Sequence, residues 1–174
     1  RNIKRGCYRT CYSFKTNFSF KFSGIHYFNI CKNYLSITDY DNENDIEVVR
    51  VPGASLFKPG QADLQLSSRS VLDAVVGVVN NYPDYKIHIQ GHTDDESIST
   101  EKFPTNWELS AGRATAVLRY FYDKGIEPER LTATGYADTF PMVPNNTKEG
   151  RAKNRRIEFV LEKMPEKKSK KKKV

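Results

Sequence analysis

The sequence predicts an α/β fold of the α+β kind, a small mixed sheet with helices packed on one face. Three observations predict it. Strand-like and helix-like stretches alternate between Ile46 and Leu161. Two helical stretches are long and aliphatic on one side, and the later strands place apolar residues at every second position, the mark of a sheet buried on one face.

The first clear strand carries Ile46, Val48, Val49 and Val51 and ends at Pro52-Gly53, with Ala54 to Phe57 continuing or re-entering the sheet before the loop Lys58-Pro59-Gly60. A helix follows. Leu66, Val71, Leu72, Val75, Val78 and Val79 recur at helical spacing, Ser67 or Ser68 can cap the start, and Asn80-Asn81 before Pro83 stops it. Lys86 to Gln90 alternates as the next strand, and Gly91-His92-Thr93-Asp94-Asp95 sits where that strand would leave the sheet. Thr105-Asn106-Trp107-Glu108 fits a capping box, opening a helix through Leu109, Ala114, Val117, Leu118 and Phe121 that ends at Gly125. Leu131 to Tyr136 reads as a strand, and Arg156 to Leu161, after a loop or short helix, as the last one.

Composition divides the chain into residues 1–44, an extension or linker of unknown structure, a domain over 45–163, and a lysine-rich tail over 164–174. The first 40 residues hold ten of the 21 aromatics and all three cysteines, but no Ala, Val, Glu or Pro. Within them only Phe18 to Phe22 alternates like a strand. Cys7, Cys11, His26 and Cys31 formally offer three thiols and an imidazole, yet their spacing matches no standard finger or ribbon. A disulfide from Cys31 to Cys7 or Cys11, or plain thiols, is favoured over zinc, and no metal or cofactor is expected.

The net charge of +7 misleads until it is placed along the chain. From Lys163 to Val174 there are seven lysines and one glutamate, whereas the first 162 residues carry 21 basic and 20 acidic groups. The domain is therefore close to neutral, the basic excess lies in a solvated tail, and no specific nucleic-acid partner is expected. No stretch approaches the roughly 18 apolar residues of a membrane span. With Arg1 first and no export pattern, the chain is expected to lack an N-terminal part of the native protein.

Chemistry concentrates at two points. On a helical wheel Asn106, Ser110 and Arg113 share one stripe beside the apolar face, so Arg113 projects at the sheet–helix boundary rather than into bulk water. Asp94 is its natural opposite pole. If the loop carrying Asp94 folds back on this helix, the two charges stand in one cleft that suits a zwitterion, a guanidinium holding the carboxylate and a carboxylate the ammonium. A plain Asp94–Arg113 structural salt bridge is the competing reading. His92 is a candidate base or ligand, or a hydrogen-bonded strand-end residue. No nucleophile elbow, phosphate loop, zinc-protease helix or pair of catalytic carboxylates is present, so the protein is not expected to be an enzyme.

These residues carry a resemblance. Ile89 to Asp94, Asn106 to Ala114, Gly125-Ile126, Gly135-Tyr136 and Gly150 to Glu158 resemble, in order, the motifs of the OmpA-like peptidoglycan-binding domain, over roughly Ile46 to Lys163. The form Phe103-Pro104-Thr105-Asn106-Trp107-Glu108-Leu109-Ser110 is most similar to the MotB-type flagellar stator family. The resemblance implies a β/α sandwich, no catalysis, and a clasp of Asp94 and Arg113 on the diaminopimelate of a peptide stem. Asn106, Thr93 and the loop backbone contribute to ligand binding, and His92, Ser110, Asn154, Arg155 and Arg156 support. It implies a periplasmic homodimer that joins a membrane-embedded stator partner, attached to the inner membrane by an N-terminal helix. An envelope lipoprotein or secretion component with the same wall-binding module is the alternative. Two departures stand out: Ala137 replaces a usual glycine, and the loop from Asp94 to Asn106 is longer than in plain outer-membrane members.

Overall fold

The computed structural model describes residues 36–41 and 46–165. The strand read at Phe18 to Phe22, the cysteine and histidine group and nearly all of the lysine tail lie outside the described residues. The described elements are β1 (Ser36–Asp41), β2 (Ile46–Pro52), a short 3-10 turn (Gly53–Ser55), α1 (Ser68–Val79), β3 (Tyr85–His92), α2 (Asn106–Asp123), a second 3-10 turn (Pro128–Arg130), β4 (Leu131–Gly135), α3 (Lys148–Asn154) and β5 (Arg156–Lys163).

The strands form one five-stranded sheet in the order β1-β2-β5-β3-β4. The β3–β4 pair is parallel, as a crossover through α2 requires, and the other pairs are antiparallel. The final strand β5 therefore lies between β2 and β3, facing Val49 with Phe159 on one side and Ile89 with Phe159 on the other. The predicted α+β class and helix-covered sheet are what the chain adopts. β1, which pairs with β2 from Ser36↔Arg50 to Asp41↔Ile46, falls inside the segment read as an extension.

Alternation decides which face is buried. Val49 and Val51 of β2, Ile87 and Ile89 of β3, and Ile157, Phe159 and Leu161 of β5 are all 4% exposed or less and meet the helices. From α1 come Val71, Leu72, Val75 and Val79, and from α2 Ala114, Val117 and Phe121. Phe121 stacks on Phe159 at 5.3 Å between ring centroids. Side chains of this size, withdrawn from water, each contribute about 1.5–3 kcal/mol. The stability of the sandwich resides here.

Three local expectations need correction. Leu66 is not on the buried face of α1: it precedes the helix and is 80% exposed. Neither serine caps α1 through its side chain, because Ser67 is already in helical conformation and Ser68 donates its hydroxyl to the Gln65 carbonyl at 2.6 Å. Ala54 to Phe57 does not continue the strand but turns in a 3-10 helix, with Phe57 making one isolated bridge to Leu64. The open choice of loop or short helix before the last strand resolves to α3, capped by Thr147 Oγ1, which accepts from the Gly150 N–H at 3.0 Å.

Candidate functional site

The cleft is set by how closely α2 crosses the ends of β3 and β4. A Cβ on Gly91 would stand 2.2 Å from the Ser110 carbonyl oxygen, and one on Gly135 2.5 Å from the Ala111 nitrogen. Only glycine permits this approach at each strand. It brings the first two turns of α2 against the loop that leaves β3 at His92.

The capping box at the start of α2 is present as read. Thr105 Oγ1 accepts from the Trp107 N–H at 3.2 Å, and the Glu108 carboxylate accepts from the Thr105 N–H at 2.9 Å. These bonds satisfy helix-end donors that would otherwise be orphaned, and the Thr105 bonds pull the Glu108 carboxyl below its ordinary range. With the first turn fixed, Asn106 reaches back to the loop. Its side-chain amide donates to the carbonyls of Asp94 at 3.3 Å and Glu96 at 3.1 Å. Arg151 of α3 holds the same loop by an ion pair to Glu96 at 2.9 Å.

Within that frame Asp94 is 5% exposed, and its Oδ2 accepts a hydrogen bond from Arg155 Nη1. Thr93 is buried too: its hydroxyl donates to the Asp94 carbonyl at 2.9 Å and its N–H to the Ala137 carbonyl at 2.8 Å. Ser110 ties the helix to the strand-end turns, donating to the Trp107 carbonyl and accepting from the Ala137 N–H, both at 3.0 Å. Ala137 has φ +49°, so the usual glycine position keeps its left-handed backbone even with a side chain.

Arg113 is buried beside the apolar face, as the wheel places it, but it does not form the structural salt bridge to Asp94 that sequence reading weighed. Its Nε donates to the Gln61 carbonyl at 2.8 Å and Nη2 to the Lys58 carbonyl at 3.3 Å, and the guanidinium lies 5.2 Å from the Phe57 ring centroid. Burial, reinforced by the charge of Arg155 and opposed by that of Asp94, lowers its pKa to about 10. All three charges thus share one neighbourhood. Arg113 remains cationic at neutral pH, and its Nη1 amino group makes no hydrogen bond to the described residues. The carboxylate partner is Arg155, 61 residues away in sequence.

His92 and Arg156 belong elsewhere. They line a cavity of about 530 Å³ on the sheet face away from the helices, together with Arg50, Gln90, Glu158 and the loop from Tyr136 to Met142. Arg156 Nε and Arg50 Nε both donate to Glu158 Oε1, at 2.7 and 2.8 Å. Burial raises the Glu158 carboxyl, but the bonds from Arg156 and Arg50 outweigh it and hold the group below its ordinary range. Asn154 fastens the loop above: its Oδ1 accepts from the N–H groups of Met142 and Val143, and its Nδ2 donates to the Val143 carbonyl and to Asn145. The supporting residues of the last motif therefore divide, Arg155 toward the cleft and Arg156 and Asn154 toward the cavity.

A protein-family model described as the OmpA family matches residues 56–155. The chain belongs to the OmpA family. As such it is a non-catalytic peptidoglycan-binding domain, as its motifs imply. The OmpA-family domain is 41% identical over 111 residues to the uncharacterized protein YtxE of Bacillus subtilis, covering 63% of this chain and 46% of that protein. It thus spans less than half the length of this curated relative. Among solved structures it is similar to a MotB-like protein from Desulfovibrio vulgaris, with TM-score 0.72 and 40% identity over 79% of this chain and 87% of the other. It is also similar to the cell wall anchor of the type VI secretion system from Pseudomonas aeruginosa, with TM-score 0.71 and 29% identity over 78% and 92%.

Sequence reading of this OmpA-family domain named the cleft residues but missed the carbonyls of Lys58 and Gln61 that seat Arg113. A backbone carbonyl has no side-chain signature. It also missed Arg50 and Glu158, for which a signal existed: both alternate with core residues of β2 and β5, so they had to share the opposite face. Among the described residues there is no group of three or more metal-ligating side chains, and no helix is long and apolar enough to cross a membrane.

Proposed function

We propose that the cleft at the start of α2 binds the diaminopimelate of a peptidoglycan stem and thereby anchors a membrane complex to the cell wall. The observation that carries this reading is a buried carboxylate with two guanidiniums in its neighbourhood, one of them seated on backbone carbonyls and keeping one amino group for a ligand. Diaminopimelate carries an ammonium and a carboxylate on its side chain. Asp94 would take the ammonium, displacing Arg155, while Arg113 Nη1 and the released Arg155 take the carboxylate. Thr93 and Asn106 act by shaping the loop: the Thr93 hydroxyl donates to the Asp94 carbonyl, and the Asn106 Nδ2 donates to the carbonyls of Asp94 and Glu96.

The likeness to a MotB-like structure supports the flagellar stator as the complex, with the domain in the periplasm, dimeric, and joined to a membrane-embedded partner through an N-terminal helix attached to the inner membrane. The likeness to a secretion-system wall anchor favours a second reading, the same module in another envelope assembly. Co-sedimentation with purified sacculi tests the shared core of both. The intact chain pellets with the wall, and Asp94→Asn and Arg113→Lys, once shown to be folded by circular dichroism, stay in the supernatant. Pelleting of both variants at the intact level would sink the cleft assignment. Crosslinking in cells to a channel-forming or a secretion-system subunit then separates the two readings.

A further inference from the structure

We propose that the chain beyond Met164, leaving from the end of the sheet opposite the Asp94 cleft, grips an anionic phospholipid bilayer through its lysines, so that the domain is held between the wall at one end and a membrane at the other. The wall half of this arrangement rests on the function proposed above. The lipid half stands by itself.

One strand sets the two ends apart. β5 begins directly after Arg155, the guanidinium on Asp94, and its first residue Arg156 pairs with His92, where β3 runs out into the Asp94 loop. It ends at Lys163, paired with Tyr85 at the start of β3. Eight residues of extended chain at about 3.3 Å each put about 26 Å between Arg155 and Lys163. The exit is tied down, because the Met164 N–H donates to the Asp84 carbonyl at 2.8 Å. Whatever follows Met164 therefore sets out away from the cleft.

Charge decides the partner. Lys167, Lys168 and Lys170 to Lys173 follow Glu166, and the one other residue among them is Ser169. There is no apolar or aromatic side chain to fill a pocket, only ammonium groups on long stems, which suit a surface of many phosphates rather than a single cavity. For a domain in the periplasm, as proposed above, the dense phosphate surface at hand is a bilayer leaflet. Each lysine held near such a surface tightens binding about fivefold.

Acids beside the exit set where the grip is made. Asp41, Glu43, Asp45 and Glu47 flank the turn from β1 to β2, next to the exit because Ile46 pairs with Glu162. They hold the sheet end itself off a negative surface. Lys170 to Lys173 come seven to ten residues after Lys163, a reach of up to about 23–33 Å, several times the roughly 8 Å over which charges are screened at physiological salt. These lysines act clear of the acids, and the contact is a tether rather than a docked face.

The test is co-sedimentation at physiological salt with phosphatidylcholine vesicles made with and without phosphatidylglycerol, comparing the full chain with one ending at Pro165, which keeps Met164 and its bond to Asp84. The full chain is expected to bind only the anionic vesicles, and the shortened chain at least about a hundredfold more weakly. Both should pellet equally with sacculi, and only the full chain should carry anionic vesicles down with sacculi in a low-speed spin. Equal binding to neutral vesicles, retention of vesicles by the shortened chain, or displacement by free glycerol phosphate at the same phosphate concentration would each overturn the proposal. So would loss of sacculus binding on shortening, which would put the lysines on the wall, or vesicle binding seen only after Asp41→Asn, Glu43→Gln and Asp45→Asn together, which would put them on the domain's own acids. If neither form pellets with sacculi while the vesicle results hold, the wall reading falls and the lipid grip stands.

Discussion

Asp94 and Glu158 are both buried carboxylates held by arginines, yet they are built for opposite ends. Glu158 gives one oxygen to two guanidiniums, and Arg156 is itself buried and engaged with two carbonyls besides. That cluster has no slack. Asp94 meets one guanidinium, Arg155, whose side chain is 36% exposed, while the nearby Arg113 is bonded to backbone carbonyls instead. A charge whose partner can swing into water is available for exchange with a ligand, and one locked between two partners is not.

The largest expected effect breaks the locked cluster. Glu158→Gln removes the buried charge that two arginines share and should cost about 3–5 kcal/mol in urea unfolding, whereas Asp94→Asn lets Arg155 return to solvent and should cost about 1 kcal/mol while abolishing co-sedimentation with sacculi. Equal costs would erase the distinction. Next, Gly91→Ala forces α2 away from β3, because its Cβ would meet the Ser110 carbonyl oxygen at 2.2 Å. A loss of about 3 kcal/mol and of wall binding is expected, with the slowly exchanging amides of the β2–β5 ladder retained. Hydrogen exchange checks it.

A pH titration of stability places His92 on the locked side. Its folded-state pKa is lowered from 6.5 to about 4, by burial first and then by Arg156. The unfolded chain therefore binds the proton first, so the stabilisation is complete above pH 6.5 and is lost as pH falls toward 4. The loss should reach about 1–3 kcal/mol, and His92→Phe should flatten that window. The smallest effect sharpens the cleft side: Thr105→Ala removes the cap and should cost about 1 kcal/mol. It should also weaken wall binding severalfold, because Asn106 loses its fixed first turn.

The same contrast explains what could be read before folding. The α2 helix, its capping box and the flank position of Arg113 follow from neighbours within four residues, and the sequence reading placed all three. The pairing of Arg155 with Asp94 spans 61 residues and depends on β5 sliding beside β3, which no local pattern encodes. Leu66 was misplaced because spacing alone cannot tell a helical residue from one just before the helix. The left-handed Ala137 was unforeseen because the residue type does not advertise that backbone. Ionic partners and strained turns are properties of the assembled sheet.

The central position of β5 also bears on how the chain is made. Until residue 163 has left the ribosome, β2 and β3 are each missing the strand that separates them, and both present a bare row of amides and carbonyls to other nascent chains. A stop codon anywhere before Arg156 would not trim a margin from this protein; it would remove the middle of the sheet and leave two sticky halves.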